Sequence, residues 1–439
     1  MHLHLLSLAF VTRSVLAECD SNPVDIPVMR IPDPWKPREV VIETIKGTTC
    51  TPEDIQFRKN QLSTETPFNM VVTCSKEISE ARCAQVKTAI KSASEKLASV
   101  LQIRKTVNVE VKFRSFCGSN KECPQASTLG TALPSTFYLA KKGNDKSSWY
   151  PQGIVKQYAT SKVLNYAQYD LLSDFNGDHE WYFPGDAAIT ANQTDFEFIA
   201  IHELLHGLGF YSAWLNYGPS MDPSLQASAF TPMMKMDSPT RTQGWVGLTI
   251  FDMFIRDAAT STNLFDLGAR VTAVNIKNQP LKDAIDAISK NTEANASASA
   301  AFTAATSEDK LVFDLESGAV QLYAPKEFSA SSSMSHLNTN VYNQTEEFLI
   351  CHDASGKSGV SLAEAMAKYP GVIGGLGPKT REIMGRIGWP LVNQTSNDTN
   401  SVLTIEDSFS VTGSSVPSGA DQLSIVGSAL VLLFLSAQL

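Results

Sequence analysis

This chain lacks a basic excess, an internal apolar run of membrane-spanning length, an internal repeat and an abundance of histidine. Each shortage narrows what it can be. Lys+Arg 36 against Asp+Glu 45 leaves a formal charge of −9, so the clustered cations of a nucleic-acid footprint are missing and no nucleic-acid partner is expected. Gly 25 and Pro 21 are ordinary usage, which excludes a collagen and a low-complexity chain. With 43% hydrophobic and 18% charged residues over 439 positions, the chain is not wholly disordered and can bury two or three cores. Histidine numbers only 7. His2 and His4 sit at the extreme N-terminus, leaving His179, His202, His206, His336 and His352 for any imidazole chemistry.

The two ends read as addresses. In residues 1–17 an apolar run from Leu5 to Val11 precedes Val15-Leu16-Ala17, the small-residue cleavage pattern of a secretory signal peptide. At the other end the small residues Gly413, Ser414 and Ser415 precede a spacer and an apolar tail without flanking cations. That is the pattern of a GPI-attachment signal over 414–439, with Gly413 or Ser414 as the attachment residue. Both ends predict an extracellular, cell-surface chain tied to the membrane through a lipid. Seven cysteines then point to disulfides. Cys117 can close a short loop with Cys123, Cys74 and Cys83 can each pair with Cys50 or Cys19, and the odd count leaves one thiol, assigned to Cys351. Asn192, Asn295, Asn343, Asn393 and Asn397 all stand in N-x-[ST] acceptor sites.

Between the ends the pattern is α+β. Residues 18–74 open Pro-rich and polar, as a wrapped arm or a propeptide would. From Lys76 to Gln102 apolar residues recur at Cys83, Val86, Ile90, Ala93 and Leu97, the spacing of a one-sided helix. Val107, Val109, Val111 and Phe113 alternate with polar residues as in a half-buried strand, and Thr136 to Ala140 reads as another. Thr194 to Glu197 predicts a capping box opening a helix over 195–208, with Gly207 and Gly209 as stop signals. Residues 286–306 are rich in Ala, Ser and Asn, and an exposed loop is expected within them. Residues 391–413 predict a Ser/Thr/Asn-rich stalk.

The chemistry lies in His202-Glu203-Leu204-Leu205-His206. Two histidines four apart on a helix project from one face and can chelate one Zn²⁺, while Glu203 points beside the ion and can act as general base. The plain structural alternatives are two packed core histidines, or a zinc that only holds the fold. A third ligand decides between zinc-site classes. Ser212 occupies the slot three residues after Gly209 and is a poor ligand, and the next glutamate after Glu203 is Glu293. His336, in the polar run 331–337, is therefore the leading third ligand, across an insertion, and His352 is the second choice. Asp222 and Asp237 are weaker carboxylate candidates, and His179 reads as a loop or substrate-side residue.

On these residues the sequence resembles a metzincin-type secreted zinc metallopeptidase, of the leishmanolysin-like sort with a long insertion before the third histidine. It also resembles secreted microbial proteins carrying Trp181-Tyr182, His202 to Phe210, Phe251-Asp252-Met253-Phe254, Leu322-Tyr323-Ala324-Pro325, Ser332 to His336, Gly377-Pro378-Lys379-Thr380 and Gly388-Trp389 in this order. The likeness spans roughly 75–390. It implies a catalytic subdomain over 75–210, with a mixed sheet, a long backing helix and the active-site helix. A mainly helical or loop lower subdomain would follow over 211–390. It further implies His202, His206 and His336 as zinc ligands and Glu203 as the base. One departure stands out: Phe348-Leu349-Ile350-Cys351 replaces a Phe-Leu-Met run, so either Ile350 fills the apolar floor under the metal or Met366 or Met384 does.

The resulting expectation is a GPI-anchored zinc endopeptidase acting on proteins or peptides, with Tyr342 a candidate helper at the scissile carbonyl. Two other expectations are a catalytically silent wall glycoprotein that keeps the zinc fold, and a hydrolase of non-peptide amides.

Overall fold

The computed structural model describes residues 19, 23–36, 38–52, 54–56, 66–118, 123, 127–218, 225, 227–330, 332–352, 358–393 and 402–408. The expected leader at 1–17, the tail at 414–439, Gly413, Asn397 and Asp222 lie outside them.

A four-stranded sheet carries the site. Phe68–Cys74, Val107–Arg114 and Leu171–Asn176 run parallel, and Gly130–Pro134 borders the last of them antiparallel. Strict alternation in Val107–Arg114 sends Val107, Val109, Val111 and Phe113 inward, as the two-residue side-chain period requires. The helix Glu80–Ala98 joins the first two strands. Its Ser79 cap accepts from Arg82 N, and Val86, Ala89, Ile90, Ala93 and Leu97 form its buried face. Burying each larger aliphatic chain is worth about 1.5–3 kcal/mol. Cys74 and Cys83 pair with each other, tying strand end to helix start, rather than with Cys50 or Cys19, which form their own bridge. Cys117–Cys123 closes its loop, and Cys351 is the free, buried thiol.

A seven-stranded sheet packs beside this core. The N-terminal arm is part of it: Pro23–Arg30 pairs with Val41–Thr49 and with Thr136–Lys142. Within the segment expected as a stalk, Val402–Ile405 adds as a strand between Thr136–Lys142 and Ala159–Thr160, burying Leu403 and Ile405. Two apolar residues two positions apart share one face and are enough to seat a short strand, a signal hidden by its polar surroundings.

The stretch 286–306, expected to include an exposed loop, is instead almost wholly helical, in Leu281–Lys290 and Thr292–Ala305. Asn291 caps the second by accepting from Ala294 N, and Ala294, Ala298, Ala301 and Ala305 are buried at helical spacing against the helix Leu264–Thr272. Alanine scores as a weak hydrophobe, yet its small side chain lets helices approach closely, so a polar-looking run can still hold a core face. The implied helical lower half also holds two small sheets, 214–280 in four strands and 255–321 in three. Among the described residues, no helix is long and apolar enough to cross a membrane.

Candidate metal centre

The helix bearing the two histidines spans Phe196–Gly207. Its cap is Asp195, not Thr194: Oδ1 of Asp195 accepts from Glu197 N at 2.8 Å and Phe198 N at 3.2 Å, while Oδ2 accepts from Leu362 N at 2.8 Å. Burial pushes the Asp195 carboxyl up in pKa, and these backbone donors oppose that shift. Thr194 pairs with Trp181 in a two-residue bridge, and its hydroxyl meets Nε2 of His179 at 3.1 Å. Desolvation holds the His179 imidazole below its ordinary pKa.

At the other end Gly207 is the last helical residue, and Gly209 makes the stop, with φ +114°. Gly209 N donates to His206 O at 3.0 Å and Phe210 N to Leu205 O at 3.0 Å, the paired bonds of a glycine-terminated helix. This turn swings the Phe210 carbonyl back onto His206, whose Nδ1 donates to it at 2.9 Å.

Three rings converge. The Nε2 atoms of His202, His206 and His336 form a triangle with each side 3.2 Å. Each Nδ1 faces a backbone carbonyl: His202 to Leu349 O at 2.7 Å, His206 to Phe210 O, and His336 to Ser332 O at 2.8 Å. A carbonyl only accepts, so each Nδ1 carries the proton. In the neutral rings the three Nε2 lone pairs then point at one another, an arrangement that three imidazoles cannot satisfy among themselves. A cation satisfies it. Tetrahedral donors at about 2.0–2.1 Å from Zn²⁺ lie about 3.3–3.4 Å apart, close to the observed triangle. The three buried histidines lie close enough to hold one metal ion, with second-sphere acceptors orienting every ring.

The Phe210 and Ser332 carbonyls lie four residues from the rings they orient, whereas Leu349 reaches His202 from 147 residues away, and buried carboxylates hold two of these segments. Leu349 stands two residues beyond Glu347, which is 3% exposed. Oε1 of Glu347 accepts from Lys379 N at 2.7 Å, and Oε2 accepts from Thr380 N at 2.8 Å and Thr380 Oγ1 at 2.7 Å. The Gly377-Pro378-Lys379-Thr380 run thus opens the helix Pro378–Arg386 onto a carboxylate, where free backbone donors favour negative charge. Asp252 plays the matching part near Phe210.

Of the other residues singled out in the sequence, Glu203 is buried on the same helix, 7% exposed. His352 stays outside the triangle. It stacks on Tyr323 at 4.4 Å between ring centres and meets His336 edge-on at 5.5 Å. Asp237 is exposed beside Arg241, 3.7 Å away. The Tyr342 hydroxyl accepts from Gln321 N at 3.2 Å, and burial raises its pKa. Ile350 is fully buried in the turn Phe348–Ile350, adjoining the Leu349 carbonyl. Asn192 and Asn393 are exposed, Asn343 is half-buried, and half-buried Asn295 accepts from Ser228 Oγ at 2.6 Å. Asp252 and Glu347 carried no role in the sequence. A lone acid inside the apolar run Ile250 to Ile255 was the available signal for the first.

An α+β protein of several sheets with a buried three-histidine centre is the class these features define. Within it, the chain belongs to the SPBPB7E8-like family, whose profile matches residues 11–422. A curated relative, "Uncharacterized protein PB7E8.01" of Schizosaccharomyces pombe (strain 972), is 23% identical over 352 residues, 71% of this chain and 60% of the relative. The chain therefore spans less than two thirds of that relative's length. No solved structure matches. Three disulfides suit an extracellular or secreted protein.

Proposed function

We propose that this chain is a zinc-dependent endopeptidase of the cell exterior. The observation that carries the reading is the Nε2 triangle with every Nδ1 proton committed to a carbonyl. Three imidazole donors suit Zn²⁺ and match a catalytic site with an open position rather than a cysteine-rich structural one; His202, His206 and His336 would hold the ion. Bound there, Zn²⁺ supplies a Lewis acid for a substrate carbonyl and for water. Glu203 adjoins His202 on the same helix, where its carboxylate takes a proton from the attacking water and returns it to the leaving amine. Burial of the ligands excludes bulk water and strengthens these interactions.

The terminal patterns support placement on the cell surface through a GPI lipid, and the sequons support glycosylation. Metal analysis of the purified ectodomain, with peptide-library cleavage by wild type and Glu203→Ala, tests the reading. The expected result is stoichiometric zinc in both and cleavage by wild type alone. Equal cleavage by both removes Glu203 from the chemistry. Bound zinc without cleavage by either favours the silent glycoprotein.

A further inference from the structure

The connection between the helix turn and the third ligand is long, and a flexible linker of that length would leave His336 free to wander. Its two ends instead meet at Ser212, and Ser212 is held by one fully buried carboxylate, Asp252, in the short 3-10 helix Phe251–Phe254. Oδ1 accepts from Ser212 Oγ at 2.6 Å, and Oδ2 accepts from Ala213 N at 3.0 Å and Thr249 N at 2.9 Å. The Thr249 hydroxyl lies 2.9 Å from Oδ2 and 3.0 Å from Tyr211 O, bridging acid and turn. A buried acid keeps its place only with such donors around it. Ser212 then acts in both directions. It stands two residues beyond Phe210, whose carbonyl orients His206. Its N–H donates to Ser335 Oγ at 3.1 Å, next to His336. On the far side Tyr323 N donates to His336 O and Met334 N to Tyr323 O, each at 2.8 Å.

We propose that Asp252 is a positioning residue for the metal centre: through Ser212 it locks the turn that orients His206 to the loop that delivers His336. This rests only on the metal-binding part of the function proposed above. Asp252 touches neither ion nor substrate; it fixes where two of the three rings stand, and so sets affinity and coordination geometry rather than proton transfer.

The test is zinc affinity by chelator competition, with the visible spectrum of the Co²⁺-substituted ectodomain and the Tm of the metal-free protein. Wild type is compared with Asp252→Ala, Asp252→Asn and Ser335→Ala. Loss of a second-sphere partner commonly costs 10–100-fold in metal affinity. Asp252→Ala is expected to weaken zinc by about that factor and alter the Co²⁺ bands. The near-isosteric Asp252→Asn recovers most of the affinity. Ser335→Ala, which removes the acceptor for the buried Ser212 N, weakens zinc by more than its small fall in metal-free Tm accounts for, and keeps the test open should Asp252→Ala not fold. Zinc affinity and Co²⁺ bands unchanged in Ser335→Ala overturn the proposal, as does an affinity loss that merely tracks a fall in metal-free Tm. A wild type that binds zinc yet cleaves nothing defeats the peptidase and leaves this proposal standing. A wild type that binds no zinc defeats both.

Discussion

Gly130 and Glu203 are in contact across the edge of the four-stranded sheet: a Cβ built on Gly130 would stand 3.0 Å from Cγ of Glu203. The same Cβ would meet the Phe175 ring at 3.0 Å. That ring packs on Phe196 at 5.2 Å and is fully buried, so it has little room to yield. Glycine is what allows the edge strand to lie against the proposed base. Gly130→Ala is expected to push Glu203 aside by a few tenths of an ångström and lower kcat by about 10–100-fold, since small misplacements of reacting groups are costly. Zinc content should stay at the wild-type value. Steady-state kinetics with metal analysis checks this; unchanged kcat would show that Glu203 does not depend on the space Gly130 leaves.

The two candidate third histidines separate cleanly. His336 completes the triangle, whereas His352 reaches it only through the edge of His336. His336→Ala should abolish stoichiometric zinc, and His352→Ala should retain it. Elemental analysis of both purified variants decides, and zinc lost from His352→Ala alone would reverse the assignment.

Glu347 is a capping carboxylate with three donors. Glu347→Ala strands two backbone N–H groups and a hydroxyl, which should cost about 2–3 kcal/mol. Because Leu349 O orients His202, zinc affinity should fall as well. Urea unfolding and chelator competition measure the two effects separately.

Asp252 also predicts a pH signature. Burial raises its pKa to about 6, against the pull of its hydrogen bonds, from about 3.9 for an unperturbed aspartate. A raised acid pKa means that the folded state holds its proton longer than the unfolded chain does. This group's contribution to stability is therefore present below about pH 4 and lost as pH rises to about 6. Asp252→Asn lacks that loss. The unfolding free energy of metal-free Asp252→Asn minus that of wild type should grow from about pH 4 to about pH 6 and then level off. Denaturant titrations across that range check it, and a flat difference would contradict the assigned burial effect.

Much of the site was legible because its signals are local. A backing helix announces itself by three-and-four spacing, as Val86, Ile90, Ala93 and Leu97 do, and a half-buried strand by the alternation of Val107 to Phe113. The helix Thr292–Ala305 is not legible within the Ala-rich stretch 286–306, because its buried face is made of small side chains. Thr194 and Asp195 both qualify as helix cap in isolation, and the backbone geometry selects Asp195. Asp252 and Glu347 were illegible as struts, since a lone acid in a sequence does not disclose which distant N–H groups will surround it.

Placement of His202, Glu203 and His206 along one helical turn followed from the covalent chain, because helix geometry is set by neighbours within four residues. The triangle did not. His336 stands 130 residues beyond His206, and only packing of the intervening sheets and helices brings it there. Phe210 O and Ser332 O lie four residues from the rings they orient, but the Leu349 carbonyl that fixes the His202 Nδ1 proton and the distant donors around the buried acids Glu347 and Asp252 are likewise products of tertiary folding. Their geometry depends on contacts between segments that no local spacing relates.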